Sequence, residues 1–273
     1  MNAPRTGISL RWPGAERPLV VHGLMIDLDG TLANTLGDFG EGDARRFERA
    51  LHEAVQHLDM GAGGEFRHDA AEGRMLRDLA LPAIDADTIS RLVGKGSEKL
   101  VRSVLVSVGA APAPDALDPA LFQQAYVTYQ RHYAGINGQH SVAYPGVAEG
   151  LAALSATGVP MACLTNKPRA HAETLLATLG LTRHFSQVFG GDCFARKKPD
   201  PLPLIETARA LGVAPQDALM LGDSSNDSQA AHAAGSPVLL VEYGYNHGHS
   251  IHEVPALGYL RSLADLQVDT VRA

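Results

Sequence analysis

Short runs that are apolar at nearly every position recur along the chain, separated by stretches with helical spacing. The runs are LVVHGLMI (19–26), VPMACL (159–164), DALMLG (217–222) and PVLLVEY (237–243). Continuous rather than alternating apolarity suits strands covered on both faces, as in a parallel sheet. Between the runs lie VAEGLAALSATG (147–158), RAHAETLLATLG (169–180), PLIETARALG (203–212) and NDSQAAHAAG (226–235). Each of these ends in a glycine, the usual place for a left-handed helix stop. Strands alternating with helices of about ten residues predict an α/β fold with a doubly wound parallel sheet.

Residues 37–142 break that rhythm. They hold no comparable strand run, and helical spacing appears in DARRFERALHEAVQHL (43–58), ADTISRLV (86–93), SEKLVRSVLVSV (97–108) and PALFQQAYVTYQRHY (119–133). Glycine-bearing stretches, LGDFGEG (36–42) and AGINGQHSVAYPG (134–146), bound the block and are expected to act as hinges. The pattern predicts an all-helical module inserted after the first strand. The chain then divides into an N-terminal extension (1–18), an α/β core (19–36 and 143–273) and the helical insert (37–142). Tyr126, Tyr129 and Tyr133 recur at helical spacing and are expected to pack inside that insert.

Composition narrows the classes. The chain has 273 residues, 45 % hydrophobic and 19 % charged, which is ordinary for a globular protein. A formal charge of −7 argues against a broad nucleic-acid or acidic-lipid surface. No apolar stretch approaches the ~20 residues that span a bilayer, and the N-terminus lacks the apolar block of a secretory signal, so a cytoplasmic protein without membrane partners is expected. Two cysteines make no disulfide framework, and Cys163 reads as a small core residue. Oligomeric state is not legible.

In an open parallel sheet, ligands bind beyond the carboxyl ends of the strands. The residues following the runs are Asp27, Asp29, Gly30 and Thr31; then Thr165, Asn166 and Lys167; then Lys197 and Lys198 in RKKPDP; then Asp223 and Asp227 in GDSSND. Asp27 and Asp29 lie two apart, so extended backbone aims both to one side. Adjacent carboxylates raise one another's pKa unless a cation or proton resolves the conflict. Asp223 adds a third acid, and the set suits Mg²⁺, which takes one or two carboxylates plus water and phosphate oxygens. With the charge screened, one carboxylate can attack phosphorus while its neighbour handles the proton of the leaving oxygen. Gly30 permits a sharp turn near a phosphate, with amides donating to its oxygens. Thr165 and Lys198 supply a hydroxyl and a positive charge for the remaining oxygens.

DLDGT (27–31), LTNK (164–167), KKP (197–199) and GDSSND (222–227), in that order, resemble the four motifs of the haloacid-dehalogenase-like phosphohydrolases. The insert after DLDGT resembles their helical cap of the first type. AYPGV, FGGD, YGYNHG and RLVGKGSEKLV resemble the bacterial phosphoglycolate phosphatase branch. The resemblance covers roughly residues 20–265. It implies a Rossmann-like core, an aspartyl-phosphate on Asp27, and Asp29 as general acid and then base. It also implies Mg²⁺ held by Asp27, the Asp29 carbonyl and Asp223. Gly30, Thr31, Thr165, Asn166 and Lys198 would face the phosphoryl group, Asp227 would position Lys198 or a metal-bound water, and Lys95 and Gly96 of the cap loop would meet the rest of a small phosphorylated substrate, most simply 2-phosphoglycolate. KKPDPLP is shorter than the family pattern, which leaves Lys197 and Lys198 to be told apart.

Other readings of these segments are weaker. An EF-hand loop counted from Asp27 has its glycine fourth rather than sixth and Asp38 at position twelve. GKGS (94–97) lacks the first glycine of a Walker A loop. His247, His249 and His252 have a spacing that permits metal binding but read as solvated polar residues. A nucleotidase, pyrophosphatase or sugar-phosphate phosphatase would share the core residues. A phosphonate hydrolase and a non-catalytic phosphate-binding regulator stand further off.

Overall fold

Leu24, Met25 and Ile26 are all 0 % exposed, although successive residues of a strand face opposite sides of its sheet. Both faces of the sheet are therefore covered at this strand, as continuous apolarity requires. The computed structural model describes residues 7–35, 38, 71–84, 88, 92, 96–246 and 249–271. The chain divides into two units, Met1–Asn34 with Val142–Ala273, and Thr35–Ser141.

Among the described residues the first unit contains three sheets. In chain order its strands are β1 (Gly7–Arg11), β2 (Leu19–Val21), β3 (Gly23–Ile26), β4 (Ala33–Asn34), β5 (Val142–Ala143), β6 (Met161–Leu164), β7 (Gln187–Phe189), β8 (Ala218–Gly222), β9 (Val238–Val241), β10 (Gly258–Leu260) and β11 (Gln267–Val271). Six of them form a parallel sheet in the order β10-β9-β8-β3-β6-β7. The first strand of this sheet, β3, thus lies between β8 and β6, which brings their carboxyl ends together. Short antiparallel β4 and β5 pair where the chain leaves this unit and returns to it.

The second unit supplies helices α1 (Ala71–Asp78), α2 (Ser97–Ser107) and α3 (Pro119–Ile136). The first unit supplies α4 (Val147–Ala156), α5 (Arg169–Thr178), α6 (Leu202–Ala210) and α7 (Ser225–Ala234). Leu204 and Ala208 of α6 and Ala230 and Ala231 of α7 share a core with Met25, Leu164, Met220 and Leu240 of the sheet. The four glycines expected to stop the helices, at 158, 180, 212 and 235, all have positive φ.

The run 19–26 is not one strand. Residues 19–21 join β1 and β11 in a separate antiparallel sheet, and the chain enters the parallel sheet at Gly23. His22 marks the switch, its N–H bonded to Asp217 O at 2.8 Å. Val20 is 47 % exposed, so this part of the run is not covered on both faces. Within the segment expected to be an extension, Gly7–Arg11 forms a strand whose Ile8 and Leu10 are fully buried.

The described part of residues 35–141 holds helices and no strand. α3 packs against α1 and α2, and their core gathers Met75, Leu76, Val101, Val104, Leu105, Phe122, Tyr129 and Tyr133. Tyr129 and Tyr133 stack at 5.5 Å between ring centroids, and Tyr126 stacks on Phe122 at 5.8 Å. Asp78 Oδ2 takes bonds from Arg131 and His132, both at 2.8 Å, tying α1 to α3. Asp38 accepts from Gly138 N, His140 N and Ser141 Oγ, so the outgoing and returning segments of this unit are joined by one buried carboxylate. The expected helix at 43–58 lies outside the described residues, as does most of 86–93. Among the described residues, no helix is long and apolar enough to cross a membrane.

Candidate active site

Asp27 follows the last residue of β3, and its N–H bonds Leu221 O of β8 at 2.9 Å. The sheet register therefore places Asp27 beside Asp223, which follows the last residue of β8. Asp227 is the third residue of α7 and forms a capping box with Ser224. One carboxylate oxygen from each of Asp27, Asp223 and Asp227 lies within 4.8 Å of the others.

Lys198 enters this group from the loop before α6. Its ammonium donates to Leu164 O and Asp227 Oδ1, both at 2.7 Å, and makes an ion pair with Asp27 Oδ1 at 3.0 Å. Lys198 is buried while Lys197 is half-exposed, so Lys198 is the lysine that reaches the acids. Asn166 fixes the Lys198 backbone from both sides: Oδ1 accepts from Lys198 N at 3.0 Å, and Nδ2 donates to Lys198 O at 2.9 Å. Thr165 follows β6, is buried, and accepts from Lys167 N through Oγ1 at 3.3 Å, leaving its own proton to donate.

At three expected phosphate contacts the structure shows hydrogen bonds within the protein. Gly30 N–H bonds Ala33 O at 2.9 Å inside the loop, so it is not free for an anion. Gly30 instead has φ +85°, and a Cβ there would collide with the Asp223 carboxylate. The requirement for glycine is the close passage of that acid. Thr31 is fully buried and its hydroxyl points to Asp223 Oδ1 at 3.4 Å. The side chain of Asn166 is committed to Lys198. These residues build the site from beneath.

Asp29, whose expected contact with the cation is its backbone carbonyl, has a side-chain partner of its own. Its Oδ1 accepts from Lys167 Nζ at 2.8 Å, and its carboxylate is not part of the Asp27–Asp223–Asp227 group. Lys167, the third residue after β6, has no role in the sequence reading. Two tyrosines also contact these loops. Tyr243 donates through its hydroxyl to Thr31 O at 2.9 Å, and Tyr245 N–H donates to Asp223 Oδ2 at 2.7 Å. Lys95 and His247 lie outside the described residues; Gly96 is the N-cap of α2, with φ 87°.

Electrostatics follow from this crowding. The Asp27 carboxyl is pushed up to about 7, chiefly by burial; Lys198 opposes the rise, and Asp227 and Asp29 add to it. Asp223 is raised well above the usual range by burial, with Asp227 and Asp27 adding to it. For Lys198, burial works against the charge, but Asp227 and Asp27 outweigh it and the pKa rises. Among the described residues Lys198 pairs with Asp27 and Asp227, and Lys167 with Asp29, so with Asp223 the four acids outnumber the two ammoniums. Both oxygens of Asp227 are engaged, by Lys198 on one side and by Ser224 and Asp223 N on the other. Asp27 and Asp223 take fewer donors than Asp227, and an all-oxygen pair of acids in excess over the ammoniums fits a hard divalent cation.

Comparison with known proteins agrees with this arrangement. The family model described as haloacid dehalogenase-like hydrolase matches residues 21–235. A phosphoglycolate phosphatase of Thiobacillus denitrificans is 38 % identical over 257 residues, 94 % of this chain and 98 % of that one. One from Nitrosospira multiformis is 37 % identical, covering 90 % and 94 %. The crystal structure of a predicted phosphoglycolate phosphatase from Haemophilus somnus superposes with a TM-score of 0.72 at 28 % identity, covering 90 % of this chain and 96 % of that one. The protein is thus an enzyme of the phosphatase class. It belongs to the haloacid dehalogenase-like hydrolase family.

Proposed function

We propose that this enzyme is a Mg²⁺-dependent phosphomonoester hydrolase that works through an aspartyl-phosphate on Asp27 and acts on 2-phosphoglycolate. The observation that carries the chemistry is the buried Asp27 carboxylate held against Lys198, with Asp223 beside it and Asp29 near the same strand end. A carboxylate oxygen of Asp27 attacks phosphorus as the bond to the ester oxygen breaks, and Asp29 gives that oxygen its proton. Water then attacks the phosphorus, Asp29 takes a proton from it, and the aspartyl bond breaks to release phosphate and restore both acids. The Thr165 hydroxyl and the Lys198 ammonium stabilise charge on the non-bridging oxygens. Asp27 and Asp223 would hold the cation, which when bound supplies charge neutralisation and polarises the phosphoryl group. The substrate is inferred from the relatives, which are named for phosphoglycolate and align along most of this chain.

The test is phosphate release from 2-phosphoglycolate with Mg²⁺, with chelator, and with Asp27→Asn. Release is expected to need the metal and to fall roughly 10⁴-fold or more in the variant, as it does when a nucleophile is removed. Activity surviving in Asp27→Asn would overturn the mechanism. A panel of esters in which a nucleotide or sugar phosphate has the higher kcat/KM would overturn the substrate.

A further inference from the structure

Lys167 is a buried lysine, 6 % exposed, and lysines are almost never buried without a partner. Its ammonium donates to Asp29 Oδ1 at 2.8 Å across 138 positions of sequence. The backbone on which it stands is gripped from two directions. Lys167 N–H bonds Thr165 Oγ1 at 3.3 Å, and Lys167 O accepts from Gly191 N at 2.8 Å. A Cβ at Gly190 would meet Lys167 O at 2.7 Å, so the loop after β7 closes on this residue only because a side chain is missing there. Such an arrangement belongs to a built contact between two strand ends. A surface lysine that happens to lie near an acid has none of these supports.

A carboxyl group has two oxygens and rotates about one bond. With Oδ1 fixed by an ammonium, Oδ2 is the oxygen left to carry a proton. We propose that Lys167 is a positioning residue for proton transfer: by occupying Oδ1 of Asp29, it presents Oδ2 to the leaving oxygen of the ester. The assignment rests on the phosphatase reading above and adds the group that aims its acid. The bookkeeping of the step is unchanged. The proton moves from Asp29 Oδ2 to the departing alkoxide, and Lys167 keeps all of its own.

The measurement is a ratio. kcat/KM reports the steps through phosphoryl transfer to Asp27, where a poor leaving group needs the proton and a good one does not. In Lys167→Met, kcat/KM is expected to fall about 10²-fold on 2-phosphoglycolate, which leaves as an alkoxide, and less than about 5-fold on 4-nitrophenyl phosphate, which leaves as a stabilised phenolate. Lys167→Arg should restore most of the loss. Adding Lys167→Met to Asp29→Asn should cost nothing more, because the two residues act through one atom. Both substrates are assayed on the same preparation, so partial loss of folded protein cancels in the ratio. Equal losses on the two esters would overturn the assignment while leaving the phosphatase reading intact. A wild-type protein that releases phosphate from neither ester would sink that reading, and the role of Lys167 with it.

Discussion

At the carboxyl edge of the six-stranded sheet buried acids are set against ammoniums and oriented donors, whereas the described core of the helical unit holds an acid that no other residue answers. Lys198 meets Leu164 O, Asp227 and Asp27 with its ammonium, and Asp227 has partners on both oxygens. Glu72, in the first turn of α1, is 0 % exposed, and among the described residues neither of its oxygens has a hydrogen-bond partner on another residue. Burial pushes it up to about 8, so it is protonated at neutral pH. Asp38, in the same unit, shows that the contrast is not between units: it is nearly as buried and accepts from three donors. The difference lies in what each place requires. A site that must hold ionised groups surrounds them with opposite charge and oriented donors, while an apolar core tolerates an acid only by keeping it neutral.

The contrast breaks most sharply at Lys198. Lys198→Met removes the ammonium that pairs with both Asp27 and Asp227. It is expected to lower kcat by roughly 10³-fold, the upper range for removing one preorganised donor. Denaturant unfolding should show a loss of about 3–5 kcal/mol, because an uncompensated buried charge remains. Unchanged stability would mean that the acids relax into water. Next in size is Asp38→Ala, which strips the partner from Gly138 N and His140 N. About 2–3 kcal/mol of stability should be lost, because buried donors lose a charged acceptor. A loss under half a kcal/mol would show that these amides find water.

What was legible in the sequence follows the same physics. β3, β6, β8 and β9 fall inside the four apolar runs because strands covered on both faces are apolar at every position. The runs do not include β7 or β10, the two edge strands, which have three residues each and are partly exposed. β1 alternates, with Ile8 and Leu10 buried and Arg11 exposed, and one-sided burial leaves a fainter trace. In the site, Asp27, Asp223 and Lys198 were legible because they follow strand ends, and parallel topology gathers strand ends. The partner of Asp29 was not, since Lys167 reaches it only through the adjacency of β3 and β6. Nor could composition show that the Gly30 amide and the Thr31 hydroxyl are turned inward, because that depends on how the loop closes on Leu28 and Ala33.

The smallest predicted effect tests the unanswered acid. The ordinary pKa of Glu72 is 4.5 and its folded value is about 8, set by burial and only partly offset by its own backbone amide. The folded protein therefore binds this proton more tightly than the unfolded chain. The stability it contributes is present in full below 4.5 and is lost as pH rises through 8. Between about pH 6.5 and 8 the loss should be about 1–2 kcal/mol, less than the full slope because the group is half ionised at the upper end. Glu72→Gln keeps the shape and removes the titration. Its melting temperature should accordingly fall less than that of the wild type over this range, by roughly 2–8 °C for a chain of this size. Every other titrating group, including the acids at the sheet edge, is common to the two proteins and drops out of the difference. Parallel melting curves at both pH values would show that Glu72 already ionises at neutral pH, reached by water or by a donor, and that the helical core answers its acid after all.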